Sequence, residues 1–111
     1  MNSGAPDSVL LCYCSCPDAL SAQAIAEALV GEQLAACVNR LPGVTSTYRW
    51  QGSVHTDEET LLLIKTTTTR FDALQARLLQ LHPYELPELI AVPVTQGHAA
   101  YLDWVRAAVI G

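Results

Sequence analysis

The sequence is poor in charge, and its basic residues are fewer than its acidic ones. Charged residues make up 15% of 111 positions, with six Lys and Arg against eleven Asp and Glu. The basic residues are scattered along the chain, so they form no basic stripe that would follow a nucleic-acid backbone. Nucleic acid is therefore excluded as an expected partner. A surface with so little charge is typical of a protein that packs tightly or assembles with other subunits.

Long hydrophobic runs are also missing. The longest, VLLCYC and LLLI, are far shorter than the roughly 20 residues that a membrane-spanning helix needs, so we expect no membrane insertion. The amino-terminal MNSGAPDS has neither the basic segment nor the apolar stretch of a secretory signal. We therefore predict a flexible tail over residues 1–8, a single domain over residues 9–111, and a cytoplasmic location.

The cysteines favour free thiols over disulfides. The chain has four, Cys12, Cys14, Cys16 and Cys37, and the first three alternate along an apolar segment. If that segment is a strand, the three share one face at a spacing of about 6.5–7 Å. A disulfide needs Cβ atoms roughly 3.5–4.5 Å apart, so neighbours in this trio cannot be bridged without distorting the strand. Free thiols in turn favour a reducing compartment.

Hydrophobic periodicity predicts the element order β-α-β-β-α-β followed by a last helix. The predicted strands cover residues 9–15, 36–50, 54–67 and 88–95. The predicted helices cover residues 18–34, 70–81 and 98–109. Asp18 and Thr69 precede the first two helices and are their predicted N-caps, because short polar side chains accept hydrogen bonds from the first helical amides.

Proline positions predict the order of the strands in the sheet. A proline inside a strand confines that strand to an edge or a bulge, and the second and fourth strands contain Pro42 and Pro93. The first and third strands contain none, and the third ends in LLLI, which is apolar on both faces as in a central strand. We therefore predict an α+β, ferredoxin-like sandwich with sheet order 4-1-3-2 and an extra C-terminal helix. A second subunit is the expected cover for the sheet's other face.

The segment LHPYELPE, residues 81–88, joins the second helix to the fourth strand. Pro83 ends the helix, because a proline disfavours helical geometry in the residue before it. Pro87 fits the start of an edge strand. The architecture therefore accounts for the prolines, and it leaves His82, Tyr84 and Glu85 as the candidates for a functional role.

Four longer segments carry a resemblance to a known family. They are LAACVNRLPGVTSTYRWQG (34–52), LLLIKT (61–66), HPYELPELIAVPV (82–94) and GHAAYLDWV (97–105). In this combination and order the chain resembles the CutA family of divalent-cation tolerance proteins. The resemblance implies a homotrimer of ferredoxin-like protomers and a role in tolerance of copper and other divalent cations. It implies no established enzymatic activity.

The resemblance also implies a candidate copper site. Cys14 corresponds to the cysteine assigned as a copper ligand in bacterial relatives, and His82 to the second of two adjacent histidines. The first of those positions is Leu81 here, which removes a ligand. Cys16, at the end of the same strand, is the candidate second thiol, because thiolates suit copper and Cu(I) in particular. The alternative interpretation makes Cys14 a buried core residue and His82 a helix cap.

A second candidate site is a cleft between subunits lined by Tyr48, Trp50, Tyr84 and Glu85. Aromatic residues at interfaces more often serve as packing anchors. The leading hypothesis is a cytoplasmic homotrimer that binds copper or a similar divalent cation and acts in the response to metal ions. The alternative is a PII-like trimeric signalling module whose clefts bind a small ligand or a protein partner. No nucleophile is paired with a base, so we expect no enzyme.

Overall fold

The computed structural model describes residues 7–110 as one four-stranded antiparallel sheet with helices on both of its faces. The strands are β1 (Val9–Cys16), β2 (Cys37–Trp50), β3 (Ser53–Thr67) and β4 (Ile90–Pro93). The helices are α1 (Ala19–Gly31), α2 (Phe71–Leu81) and α3 (Ala99–Ala108). The strand order β2-β3-β1-β4 is the predicted order read from the opposite edge. The ferredoxin-like α+β fold is thus confirmed.

The two proline-containing strands form the two edges of the sheet. Pro42 lies within a register shift between Leu41 and Val44 on β2, and Gly43 beside it has a φ of +75°. This irregularity places the proline where β2 makes no regular ladder with β3, as a proline within a strand requires. Pro93 is the last residue of β4, which pairs with β1 alone.

Helices α1 and α2 cover one face of the sheet. The core beneath them contains alternate residues of β1 and β3, among them Cys12, Cys14, Cys16, Leu62 and Ile64, each with 0% exposure. The register pairs Cys14 with Leu62 and Cys12 with Ile64, so the thiols and the apolar side chains face the helices together. Burial in this core, rather than any cross-link, fixes the three cysteines of β1.

Within residues 7–110, the opposite face is covered at one end only. Helix α3 packs there through Val105 and Val109 against Val9 and Ala36. The rest of this face, which we call the open face, consists of apolar side chains that remain partly or largely exposed: Leu11, Tyr13, Leu41, Leu61, Leu63, Ile90 and Val92. The run LLLI is therefore apolar toward both sides, as predicted, but one of its sides is uncovered in a single chain.

The helix boundaries agree with the sequence only in part. Asp18 is the N-cap of α1 as predicted, and its side chain accepts from the amide of Ser21 at 2.8 Å. The helix ends at Gly31 rather than near Leu34, because Gln33 adopts a φ of +60°. That conformation lies in the left-handed region and stops a right-handed helix.

The predicted cap of α2 was wrong. Arg70 occupies the N-cap position and makes no side-chain capping bond. The Thr69 amide instead donates to Oδ1 of Asp7 at 3.2 Å, so a carboxylate distant in sequence lies near this helix end. Nothing local in the sequence indicates that contact.

Residues 7 and 8 hold the start of the described chain against α2 and α3. The amide of Thr68 donates to the carbonyl of Ser8 at 2.9 Å, and Nε of Arg106 donates to the carbonyl of Asp7 at 2.6 Å. The rest of the predicted tail, residues 1–6, lies outside the described residues. Within the described part of the chain, no helix has the length and apolar character needed to span a membrane.

The contacts of Asp7 predict a pH dependence of stability. Burial raises the pKa of Asp7, but hydrogen bonds from Thr69 and the charge of Arg106 outweigh it, and the pKa lies below its ordinary value of 3.8. A carboxyl group with a lowered pKa stabilises the folded state above its unfolded pKa and loses that contribution as pH falls. Asp7→Asn should therefore lower the melting temperature at pH 7, and the difference from wild type should shrink below about pH 4. A difference that stays constant from pH 7 to pH 3 would contradict this assignment.

Candidate metal centre and the adjoining cleft

The structure brings Cys14, Cys16 and His82 together. One donor atom from each lies within 4.8 Å of the other two, and all three residues are buried. The cysteines occupy alternate positions at the end of β1, so both point toward the helices. His82 directly follows the last residue of α2, at the point where Pro83 stops the helix. The candidate metal ligands from the sequence therefore form one cluster, which we call the thiol cluster.

Both ring nitrogens of His82 already have hydrogen-bond partners. Nε2 lies 2.8 Å from the carbonyl oxygen of Ser15, and because a carbonyl only accepts, Nε2 carries the hydrogen. The amide of Tyr84 donates to Nδ1 at 3.1 Å, so Nδ1 is unprotonated. The ring is thus held neutral as the Nε2–H tautomer. His82 also ends α2, but through its backbone amide, which donates to the carbonyl of Leu78 at 2.9 Å.

The thiols of Cys14 and Cys16 are neighbours that shift each other's pKa. The hydrogen bond to Cys16, with burial, raises the pKa of Cys14, and the same hydrogen bond lowers the pKa of Cys16. These directions favour the thiolate at Cys16 and the protonated thiol at Cys14. Burial raises the pKa of Cys12 to about 11, so Cys12 stays a neutral core residue. Cys37 lies elsewhere, with its sulfur 3.8 Å from Nζ of Lys65.

The donor set of the thiol cluster fits a soft metal ion. Two sulfurs and one imidazole suit Cu(I) or Zn²⁺ better than hard cations that prefer oxygen. Glu85 and Glu88 contribute no atom to the cluster, and Glu88 accepts from the hydroxyl of Ser15 at 3.3 Å. Leu81, which precedes His82, is partly buried against the core and offers no donor atom. The cluster therefore offers at most three donors from this chain.

The four predicted cleft residues also come together. Tyr48, Trp50, Tyr84 and Glu85, with Leu86, line one cavity of about 240 Å³, which we call the aromatic cavity. Tyr48 and Trp50 are alternate residues of β2, so they project from the same face of the sheet. The other three belong to the loop between α2 and β4. A neighbouring depression of about 410 Å³ shares Tyr48, Tyr84 and Leu86 and extends to Ser15 and Glu88.

Two carboxylates behind the aromatic cavity are not evident from the local sequence. The acidic run at residues 57–59 is typical of a solvated hairpin, yet Glu59 is only 6% exposed and accepts from the hydroxyl of Tyr84 at 2.6 Å. The hydroxyl of Tyr48 donates to Asp57. Burial and Glu59 raise the pKa of Tyr84, and the hydrogen bond to Asp57 raises the pKa of Tyr48. Both tyrosines are therefore held as neutral phenols. Strand alternation is the sequence pattern that could have identified these two carboxylates, because it places Asp57, Glu59 and Leu61 on one face of β3.

The two hydrogen bonds of the His82 ring predict its tautomer. Proton–nitrogen correlation spectra near pH 7 should show His82 as the neutral Nε2–H form, because the Ser15 carbonyl requires a donor there. His98, which is exposed, serves as the internal comparison. His82→Ala should cost about 1–3 kcal/mol of unfolding free energy, since it leaves a buried carbonyl without its partner. Detection of the Nδ1–H tautomer would contradict the hydrogen bonding described here.

The chain is similar to known proteins in both sequence and structure. The profile of the family described as CutA1 divalent ion tolerance protein matches residues 10–108. The divalent-cation tolerance protein CutA of Thermus thermophilus is 58% identical over 85 residues, which cover 77% of this chain and 82% of that protein. The human protein CutA is 46% identical over 101 residues, covering 91% of this chain but only 56% of the human protein.

Solved structures agree. The crystal structure of CutA from Xylella fastidiosa superposes with a TM-score of 0.90 at 50% identity, covering 92% of this chain and 98% of that one. The structure described as the periplasmic divalent cation tolerance protein CutA of Archaeoglobus fulgidus gives 0.88 at 30% identity, covering 91% and 98%. On the extent of these matches, the chain belongs to the CutA1 divalent ion tolerance family.

Proposed function

We propose that this protein acts in divalent-metal tolerance by binding a soft metal ion, with copper preferred, at the thiol cluster. The observation that carries the proposal is the convergence of Cys14, Cys16 and His82 within 4.8 Å in a buried position. Relatives that are named divalent-cation tolerance proteins support a metal-related role. The choice of copper rests on the two sulfur donors.

The two cysteines are the principal ligands in this proposal. Metal binding requires thiolates, and the lowered pKa of Cys16 makes one available first. Cys14, whose thiol donates to the carbonyl of Ser15 at 3.8 Å, then loses its hydrogen and becomes the second sulfur ligand. His82 becomes a ligand only when it gives up its hydrogen bond to Ser15 or to Tyr84. A bound metal would be sequestered from solution, which is the chemistry that tolerance needs.

We propose a binding protein of the cytoplasm rather than an enzyme. All four cysteines are free, which suits a reducing compartment. The tyrosines of the aromatic cavity act as hydrogen-bond donors to carboxylates, and neutral phenols held in this way are poor bases. The relative described as periplasmic makes localisation by cell fractionation the direct test of the compartment.

Metal titration with cysteine variants tests the site. Under anaerobic reducing conditions, competition with a chromogenic chelator should show one Cu(I) per chain, bound more tightly than Zn²⁺. Cys14→Ser and Cys16→Ser should each weaken Cu(I) binding by about 100-fold or more, and His82→Ala by about tenfold, since His82 first has to break a hydrogen bond. Cys37→Ser is the matched control, because it removes a thiol outside the cluster. Affinity should fall as pH falls, since protons compete for the thiolates.

Three results of the titration would reject the site. One is unchanged Cu(I) affinity in Cys14→Ser with the fold intact. Another is loss of affinity in Cys37→Ser alone. The third is the absence of binding by any of Cu(I), Cu(II), Zn(II) and Ni(II).

A variant that adds a ligand tests the same site. Leu81→His should tighten copper binding, because it adds an imidazole beside His82.

We also propose that the protein is a homotrimer assembled through its open face. The support is the exposed apolar surface of Leu61, Leu63, Ile90 and Val92, which a single chain leaves uncovered. Contiguous apolar patches of this kind mark interaction sites. Closed symmetry would also cover the sheet edges that a lone protomer exposes.

The oligomeric state is directly measurable. Light scattering should give a mass of three chains of 12.0 kDa each at micromolar concentration. Leu63→Asp should dissociate the assembly, because it places a charge in the centre of the open face. Leu20→Asp, at a 79% exposed position of α1, should leave the mass unchanged. A monomer mass for the unmodified chain would overturn the trimer.

A further inference from the structure

The aromatic cavity is a built site that the thiol cluster does not use. Three aromatic residues, Tyr48, Trp50 and Tyr84, line it, and Glu85 and Leu86 complete the lining. We propose that this cavity binds a small organic cation that carries a methylated, quaternary ammonium group. The proposal concerns a second ligand and is independent of the metal site.

The charge around the cavity favours a cation. Glu85 lines it directly, and Asp57 and Glu59 accept hydrogen bonds from the hydroxyls of Tyr48 and Tyr84. No lysine or arginine is among the described residues that line it. Arg49 lies between Tyr48 and Trp50 on β2, and alternation directs its side chain to the other face of the strand. Anionic ligands such as phosphates would therefore meet carboxylates and no cationic partner.

Hydrogen bonding narrows the class of cation. Both tyrosine hydroxyls already donate to carboxylates, so the aromatic lining of the cavity has few free polar groups. One face of the Tyr48 ring stacks on His55, with centroids 5.7 Å apart. A primary ammonium has three N–H donors to satisfy, and the lining offers Glu85 as the main acceptor. A quaternary ammonium has no N–H and is attracted to the electron-rich faces of Trp and Tyr. A volume of about 240 Å³ suits a ligand of this size and excludes most larger molecules.

The cavity and the thiol cluster are neighbours that share no donor atom. The ring of Tyr84 contacts that of His82, with centroids 4.9 Å apart. The sulfurs of Cys14 and Cys16 face the helices, whereas the cavity lies on the other side of the sheet, with Tyr48 and Glu59. Cys14→Ser should therefore weaken Cu(I) binding by about 100-fold or more and leave the affinity for the organic cation unchanged. The two proposals can fail separately.

Trp50 provides a direct readout of this cavity. The chain has two tryptophans, Trp50 and Trp104, so Trp104→Phe leaves Trp50 as the single reporter. Titration of this full-length variant with choline at constant ionic strength should give a saturable change in Trp50 emission. The uncharged isostere of choline, in which carbon replaces the nitrogen, should bind at least about tenfold more weakly, because only the cation gains from the rings.

Matched variants of one wall separate the ring from its hydroxyl. In the same background, Tyr48→Phe should bind choline within about threefold of the parent, and Tyr48→Ala about tenfold more weakly, because only the second loses a ring face. Tyr48 is chosen because it is exposed and its loss should leave the fold intact. Saturation transfer from protein to the ligand's methyl protons gives a second readout that does not depend on tryptophan.

Three outcomes would overturn the proposal. The first is the absence of both saturable emission change and saturation transfer with choline, which is also the result expected if a neighbouring subunit fills the cavity. The second is an equal response to the uncharged isostere. The third is equal choline affinity in Tyr48→Phe and Tyr48→Ala.

Discussion

The hydrogen bond from Nε2 of His82 to the carbonyl of Ser15 links the two candidate sites of this protein. It fastens the loop after α2 to the end of β1 at a distance of 2.8 Å. On the helix side of the sheet, this contact holds the imidazole beside the sulfurs of Cys14 and Cys16. Two residues further along the chain, the same loop directs Tyr84 to Glu59 and so builds one wall of the aromatic cavity. Pro83 makes the arrangement possible, because it disfavours helical geometry in His82 and so ends α2 at Leu81.

The same hydrogen bond would compete with metal ligation by His82. The free energies of the two interactions show how strong this competition would be. A neutral hydrogen bond contributes about 0.5–1.5 kcal/mol to stability, and a buried group left unpaired costs about 1–3 kcal/mol. Apparent metal-binding free energies in sulfur-rich structural sites are about 10–16 kcal/mol. The cost of releasing His82 is therefore small beside the gain from two thiolates. In the proposed site, the cysteines would therefore decide whether metal binds, and the histidine would adjust the affinity.

Strand periodicity and proline positions predict most of the fold, because both act locally. Pro42 and Pro93 identify the edge strands, and the run LLLI identifies a central one. The alternation of Cys14 and Cys16 is sufficient to place both thiols on one face of β1. Each of these inferences depends on a rule that a short segment obeys wherever it lies in the protein.

The features that the sequence does not predict depend on contacts between distant residues. Thr69 has the composition of a helix cap, but its amide binds the carboxylate of Asp7, which is 62 positions away. Glu59 belongs to a run of charges that is typical of a solvated hairpin, yet the hydroxyl of Tyr84, 25 positions later, meets it in a buried place. The local sequence pattern predicts neither pairing, since only the tertiary fold brings the two partners together.

The shape of the chain connects the open face to the aromatic cavity. The molecule extends 49 Å along one axis and about half that, 25 and 24 Å, along the others. Strands β2 and β3, of 14 and 15 residues, are much longer than β1 and β4, of 8 and 4 residues, so their hairpin projects beyond the sheet. Tyr48, Trp50 and Asp57 lie on that projection, and Leu61 and Leu63 lie nearer its base. Any subunit that covers the apolar base must therefore approach the cavity, so assembly and cation binding would be sensitive to each other's geometry.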